Sequence, residues 1–208
     1  MIARMRSLIM ITRMKTLMTY CLLIAGLALA SCTQPAPQTP PPPQFSHLPA
    51  INLAASEIFV VEEYKSPFRN PNVEHLFPTP PAEAVKLWVK ERLNAAGDFR
   101  TLEVVIHDAS VIETALPKTQ GFKGLFTVDQ SERYDATLNV TLKLFGGQRG
   151  FSDAETHIKV SQSRTVSEDA TLAEREAIFA EMTEALMQSF NAEAEANLRQ
   201  YFSQFLLY

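Results

Sequence analysis

The chain has 208 residues, 46% apolar and 20% charged, with 13 Pro, 7 Gly, 2 Cys and a formal net charge of −4. That balance excludes wholesale disorder, and the scarcity of glycine excludes a collagen-like chain. The charge is unevenly spread: Arg4, Arg6, Arg13 and Lys15 are the only charges in residues 1–31, and without them 15 basic residues face 23 acidic ones, a net −8.

Tyr20–Ala30 reads YCLLIAGLALA, an apolar run of 11 residues. It is shorter than the ~20 residues a spanning helix needs. A basic stretch before it and small residues after it make the layout of a secretory signal. Met14-Lys15 opens a compact signal of ordinary shape, so starts at Met1 and at Met14 both fit. The run closes on Leu29-Ala30-Ser31-Cys32, which matches a lipobox at every position. In this the chain resembles a bacterial lipoprotein. The resemblance implies a diacylglycerol on the Cys32 sulfur, cleavage just before Cys32, and acylation of the new amino group, as by palmitate. One acyl chain holds a protein only marginally, and two or three hold it firmly. Thr33 rather than Asp follows Cys32, which by the same resemblance favours the outer membrane over the inner, with the domain facing the periplasm. Cys21 leaves with the signal and Cys32 is consumed by lipid, so no thiol remains for a disulfide, metal or nucleophile.

The chain accordingly divides into a signal peptide (1–31), a lipidated Cys32 with a Pro-rich tether (32–49), and one domain (50–208). Thr33–Pro49 carries seven of the 13 prolines, four of them consecutive at Pro40–Pro43. Such a segment favours an extended polyproline helix. At ~3.1 Å per residue it reaches at most roughly 50 Å, as a spacer or as a docking peptide for an aromatic groove.

Within the domain, Ile51–Val61 reads as a first strand with an irregularity near Ser56. A proline-punctuated connection follows, with Tyr64, Phe68 and Phe77 expected to pack down. Thr79-Pro80-Pro81 opens a helix whose apolar stripe is Val85, Trp88, Val89, Leu93 and Ala96, with Gly97 at its C-terminal cap. A second strand runs from Leu102 towards Leu116, and Gly121 and Gly124 mark a turn. Tyr134, Ala136, Leu138, Val140, Leu142 and Leu144 alternate with Asp135, Thr137, Asn139, Thr141 and Lys143, the pattern of a strand with one wet face. Gly146–Gly150 is a hairpin loop, and Ala154–Ser161 a fourth strand. Thr171-Leu172-Ala173-Glu174 is a capping box opening a helix that runs towards Phe205.

The expected fold is α+β: a two-layer sandwich with a four-stranded mixed sheet, order β-α-β-β-β-α, and a long C-terminal helix. The first two strands should be parallel and the last three an antiparallel meander. A lipobox, a linker and this layout resemble accessory lipoproteins of envelope transport, both the ABC-type transport auxiliary lipoproteins and the lipopolysaccharide-assembly lipoprotein of an outer-membrane translocon. The resemblance covers roughly residues 50–208 and is topological. It implies an anchored, non-enzymatic domain that stabilises a transporter or contacts lipid.

Catalytic patterns are missing from the sequence. His47, His75, His107 and His157 lie far apart with no metal-ligand spacing, so neither a metal nor another cofactor is expected. There is no serine elbow and no P-loop. Glu62 and Glu63, adjacent on a strand, should point to opposite faces. The acidic balance disfavours nucleic acid. The expected partners are the membrane, through lipid at Cys32, and an envelope protein. Tyr201, Phe202, Phe205 and Leu206 are the candidate contact residues for a partner or bilayer, against the alternative that this run folds back into the core. A rival function is the carriage of a lipid or other amphiphile in a cavity between sheet and helices.

Overall fold

The computed structural model describes residues 40–97, 99–117, 130–146 and 150–208. The chain divides into units 1–38 and 39–208, and every described residue belongs to the second. The signal, the lipobox with Cys32, Gly121, Gly124 and the tip of the 146–150 loop lie outside the described residues.

The organising element is a 16-residue strand, β6 (Gln130–Phe145). Its alternation decides its faces: Tyr134, Ala136, Leu138, Val140, Leu142 and Leu144 are all buried in the core. Each such large aliphatic side chain contributes about 1.5–3 kcal/mol on burial, so a one-residue slip in register would forfeit most of the core. One flank of β6 is covered along its length by β7 (Ala154–Ser167), with Leu144 opposite Ala154 and Gln130 opposite Ser167. The other flank is shared end to end by β4 (Thr101–Asp108) and β5 (Val111–Ala115), parted at Ala109-Ser110. β2 (Glu57–Glu62) completes this five-stranded sheet, parallel to β4. The parallel first pair and the antiparallel remainder are those expected from the sequence, but the sheet has five strands rather than four, because the expected second strand breaks at Ala109-Ser110 into β4 and β5.

Helix α1 (Pro81–Arg92) and helix α2 (Leu172–Tyr201) cover the apolar face. Trp88 of α1 meets Phe190 of α2 edge-to-face at 5.0 Å. Phe179 of α2 stacks on Phe77 at 4.3 Å and takes the edge of Tyr134 at 4.9 Å. The capping box forms as anticipated: the Thr171 hydroxyl accepts the Glu174 N–H, and the Glu174 carboxylate accepts the Thr171 N–H. The fold is α+β with a long C-terminal helix.

A second, three-stranded sheet was not anticipated. It has the order β3-β1-β8, from β1 (Ile51–Leu53), β3 (Leu93–Ala95) and β8 (Leu206–Leu207). The expected single first strand is therefore two. At the Ala54–Ser56 irregularity the chain leaves one sheet for the other, with Ala54 N–H donating to the Phe205 carbonyl and Ser56 N–H to that of Arg100. The first helix stops at Arg92, because β1 offers Leu93–Ala95 a parallel ladder. Gly97 is not its cap. Its N–H donates to the Ala55 carbonyl, and a Cβ there would lie 2.5 Å from the Ala54 carbonyl carbon, so only glycine permits this approach. The last helix ends at Tyr201, four residues before the expected Phe205, since the chain must turn back for β8 to pair with β1.

The connection from Glu63 to Pro80 packs down through Phe77 and Tyr64, as expected, but Phe68 does not. It is 72% exposed, at φ 52°. The end of the expected tether also differs. Pro43 and Phe45 are buried, and the Phe45 and Ser46 N–H groups both donate to the Glu91 carboxylate of α1, at 2.6 and 2.9 Å. The folded body thus begins by Pro40, not Ala50, with Pro40–Leu48 lying on it as a strap.

Candidate functional site

Cys32, the lipidation candidate, lies outside the described residues. The C-terminal contact candidates are described, and they do not share one surface. Phe202 is fully buried, so it is corrected from a contact residue to a core residue. Phe205 is half-buried, with the Arg100 guanidinium over its ring at 4.8 Å. Leu206 is half-buried and paired with Leu53 of β1. Tyr201 alone of the four is well exposed, at 53%. The physical reason is the β8–β1 ladder: it draws the run back onto the domain, the folding-back alternative.

That folding-back creates a groove. Leu48–Asn52, the end of α1, the last turns of α2 and Leu206–Tyr208 enclose a surface cleft of about 410 Å³. Its walls are mostly apolar, but Arg92, Glu195 and Arg199 are set among them. Arg92 is the last residue of α1 and only 1% exposed. Its Nε donates to Asn191 Oδ1 at 3.1 Å, and the same oxygen accepts the Trp88 Nε1–H at 2.8 Å. Its Nη2 pairs with Glu195, while its Nη1 is buried without a hydrogen-bond partner. Arg199, on the exposed rim, reaches the same Glu195 at 3.5 Å. Two guanidinium groups therefore share one carboxylate. Burial, then the charge of Arg199, pulls the Arg92 pKa below its ordinary value. The guanidinium stays protonated nonetheless, so two cationic side chains face the one carboxylate of Glu195.

A second polar constellation crosses the open face of the larger sheet. Glu63, just past β2, accepts from or pairs with His107 Nδ1 of β4 at 2.7 Å. His107 Nε2 lies 2.9 Å from Thr141 Oγ1 of β6, which lies 3.1 Å from His157 Nδ1 of β7. Carboxylate, imidazole and hydroxyl stand in the order of a nucleophilic triad. Thr141, however, is 4% exposed in mid-strand, and its hydroxyl is engaged from both sides. The line reads as a lateral tie across four strands. Sequence reasoning placed His107 and His157 on strands but could not pair them, because strand register was needed to set Thr141 opposite His157. Glu62 and Glu63 do diverge as expected: Glu62 pairs with Lys86 of α1 at 2.8 Å, on the other face.

A third cluster fixes the 63–80 connection. Buried Glu74 accepts from Tyr64 Oη at 2.7 Å and from the Val111 N–H at 3.2 Å, while Asn72 donates to Tyr64 Oη. Burial, reinforced by the Glu74 carboxylate, pushes the Tyr64 phenol well above its ordinary pKa. Burial alone would raise the Glu74 carboxyl, but the hydrogen bonds from Ser66, Tyr64 and Val111 hold it below its ordinary value. Among the described residues, no group of three or more His, Cys, Asp or Glu is placed to hold a metal, and no helix is long and apolar enough to cross a membrane.

No protein-family model matches the chain, and a search of curated proteins finds no significant match. Among solved structures, the chain is similar to a minor lipoprotein from Acinetobacter baumannii (10% identity, TM-score 0.35), with 68% of this chain and 95% of that one covered. A Xanthomonas campestris protein of the DUF330 family gives 11% identity and a TM-score of 0.36, covering 76% and 91%. The rare lipoprotein B of Shewanella oneidensis gives 14% and 0.27, covering 69% and 98%. Two of these three are named lipoproteins, and at such identities and TM-scores they establish neither family nor function for this chain.

Proposed function

We propose that this protein is a lipid-anchored lipoprotein of the cell envelope that works without catalysis, as a binding or scaffolding accessory of a transport or outer-membrane assembly system. The observation that carries this is Leu29-Ala30-Ser31-Cys32 at the end of an 11-residue apolar run behind a basic stretch. Thr33 after Cys32 favours the outer membrane, with the domain facing the periplasm.

Cys32→Ala should abolish metabolic labelling by a fatty-acid analogue and release the protein from the membrane fraction; persistent labelling would overturn the anchor. For partner docking, exposed Tyr201 is the residue to change. Removing everything beyond Asn197 would take Leu198 and Phe202 out of the core. Tyr201→Glu leaves the core intact and should reduce capture of the partner in a pull-down; an unchanged partner set would exclude docking through this end. The rival carrier function needs free space, and the layer between the larger sheet and the helices is filled by Trp88, Phe179, Leu186, Phe190 and the β6 aliphatics. The 410 Å³ groove lies elsewhere, beside the small sheet.

A further inference from the structure

The groove beside the small sheet combines an apolar wall with a buried cation that is not fully satisfied. A buried guanidinium ordinarily has its donors engaged, because leaving a charged donor unpaired away from water is costly. Arg92 has Nε on Asn191 and Nη2 on Glu195, but Nη1 has no partner. Its one carboxylate is also claimed by Arg199. Among the side chains lining the groove, two guanidinium groups thus face one carboxylate, and Arg92 Nη1 has no acceptor. Leu48, Ile51, Leu198, Leu206 and Leu207 supply apolar wall, with Asn52 and Tyr208 beside them. A volume of about 410 Å³ falls in the range of sites for small molecules.

We infer that this groove binds a single-chain amphiphile with an anionic head, a carboxylate or phosphate. The head sits at the rim charge of Arg199, beside the buried Arg92 guanidinium, and the first part of the chain lies along Leu198, Leu206 and Leu207. Charge complementarity selects the head, since a second guanidinium without its own carboxylate favours an anion over a neutral or cationic group. The apolar walls select a chain rather than a free ion. The inference does not depend on lipid anchoring, and it is tested on the chain from residue 32 with Cys32→Ser, so failure of one leaves the other standing.

The protein carries its own reporter. Trp88 is the sole tryptophan, and its indole N–H shares the Asn191 oxygen with Arg92. Titration with myristate below its aggregation concentration should give a saturable, single-site change in Trp88 emission. Myristyl alcohol should bind roughly tenfold or more weakly, the cost of leaving Arg92 unanswered. Acetate and inorganic phosphate, which have the charge without the chain, should give no saturable change over the same range. Arg92→Met should remove the preference for acid over alcohol. Should that variant not fold, Arg199→Glu tests the same point from an exposed position and should weaken myristate severalfold while leaving the alcohol unchanged. Equal affinity for acid and alcohol, saturation by phosphate or acetate alone, or an acid preference that survives both substitutions would each overturn the proposal.

Discussion

Glu91→Ala tests whether the strap is held by the bonds described. Glu91 Oε2 accepts two backbone N–H groups, from Phe45 and Ser46. Hydrogen bonds to a charged acceptor contribute about 1.5–3 kcal/mol. Removing the acceptor while Phe45 stays buried should thus lower the local opening energy by about that amount, which is roughly ten- to hundredfold in exchange rate. The assay is amide hydrogen exchange at Phe45 and Ser46, with amides of β6 as the internal standard for global stability. In Glu91→Ala the two amides should lose protection while β6 keeps it. Burial of the Phe45 ring adds about 2–3 kcal/mol, so only Glu91→Ala combined with Phe45→Ala should free the strap and make it a target for proteolysis. Unchanged protection at Phe45 and Ser46 in Glu91→Ala would refute the reasoning.

Glu74→Gln should cost stability at neutral pH, and the cost should shrink as pH falls. The folded-state pKa of Glu74 lies below the ordinary 4.5, so its contribution is present above 4.5 and lost as pH drops through the lower folded value; urea midpoints of both proteins between pH 6 and 3, about three units, should converge, and a constant gap would contradict it. Gly97→Ala should destabilise by about 1–3 kcal/mol, because the added Cβ meets the Ala54 and Ala55 backbone at 2.5 and 2.7 Å; an unchanged thermal midpoint would show that β3 and β1 can part without cost. Asn191→Leu leaves the Trp88 and Arg92 donors unpaired and should cost about 2–4 kcal/mol, read from urea unfolding.

Features whose cause is local were legible in the sequence. The alternation of β6 and the capping box at Thr171 each need only neighbouring residues, and both stand where the pattern put them. Features with a distant cause were not. Leu93 suits the stripe of α1 as well as it suits a strand, and only the ladder offered by β1 decides between them. The prolines before Phe45 spell a spacer by composition, yet a carboxylate on α1 recruits their end. The groove was the least legible feature, being assembled from Leu48–Asn52, the end of α1 and the C-terminal stretch from Glu195 onwards, with its key residue an arginine at an ordinary helix end. Tyr201–Leu206 showed its apolar character plainly, but whether it faced outward depended on a two-residue strand too short to leave a period.

That same two-residue strand ties completion of the fold to the order in which the chain is made. β1 is among the first elements to emerge, yet one of its edges is closed only by Leu206 and Leu207. A chain delivered from its N-terminus must hold β1 half-paired until these residues arrive, since pairing over such a separation cannot begin earlier. Until then the walls that Leu206 and Leu207 give the groove do not exist. A nascent or shortened chain would carry Arg92 without these walls, so the groove is completed last.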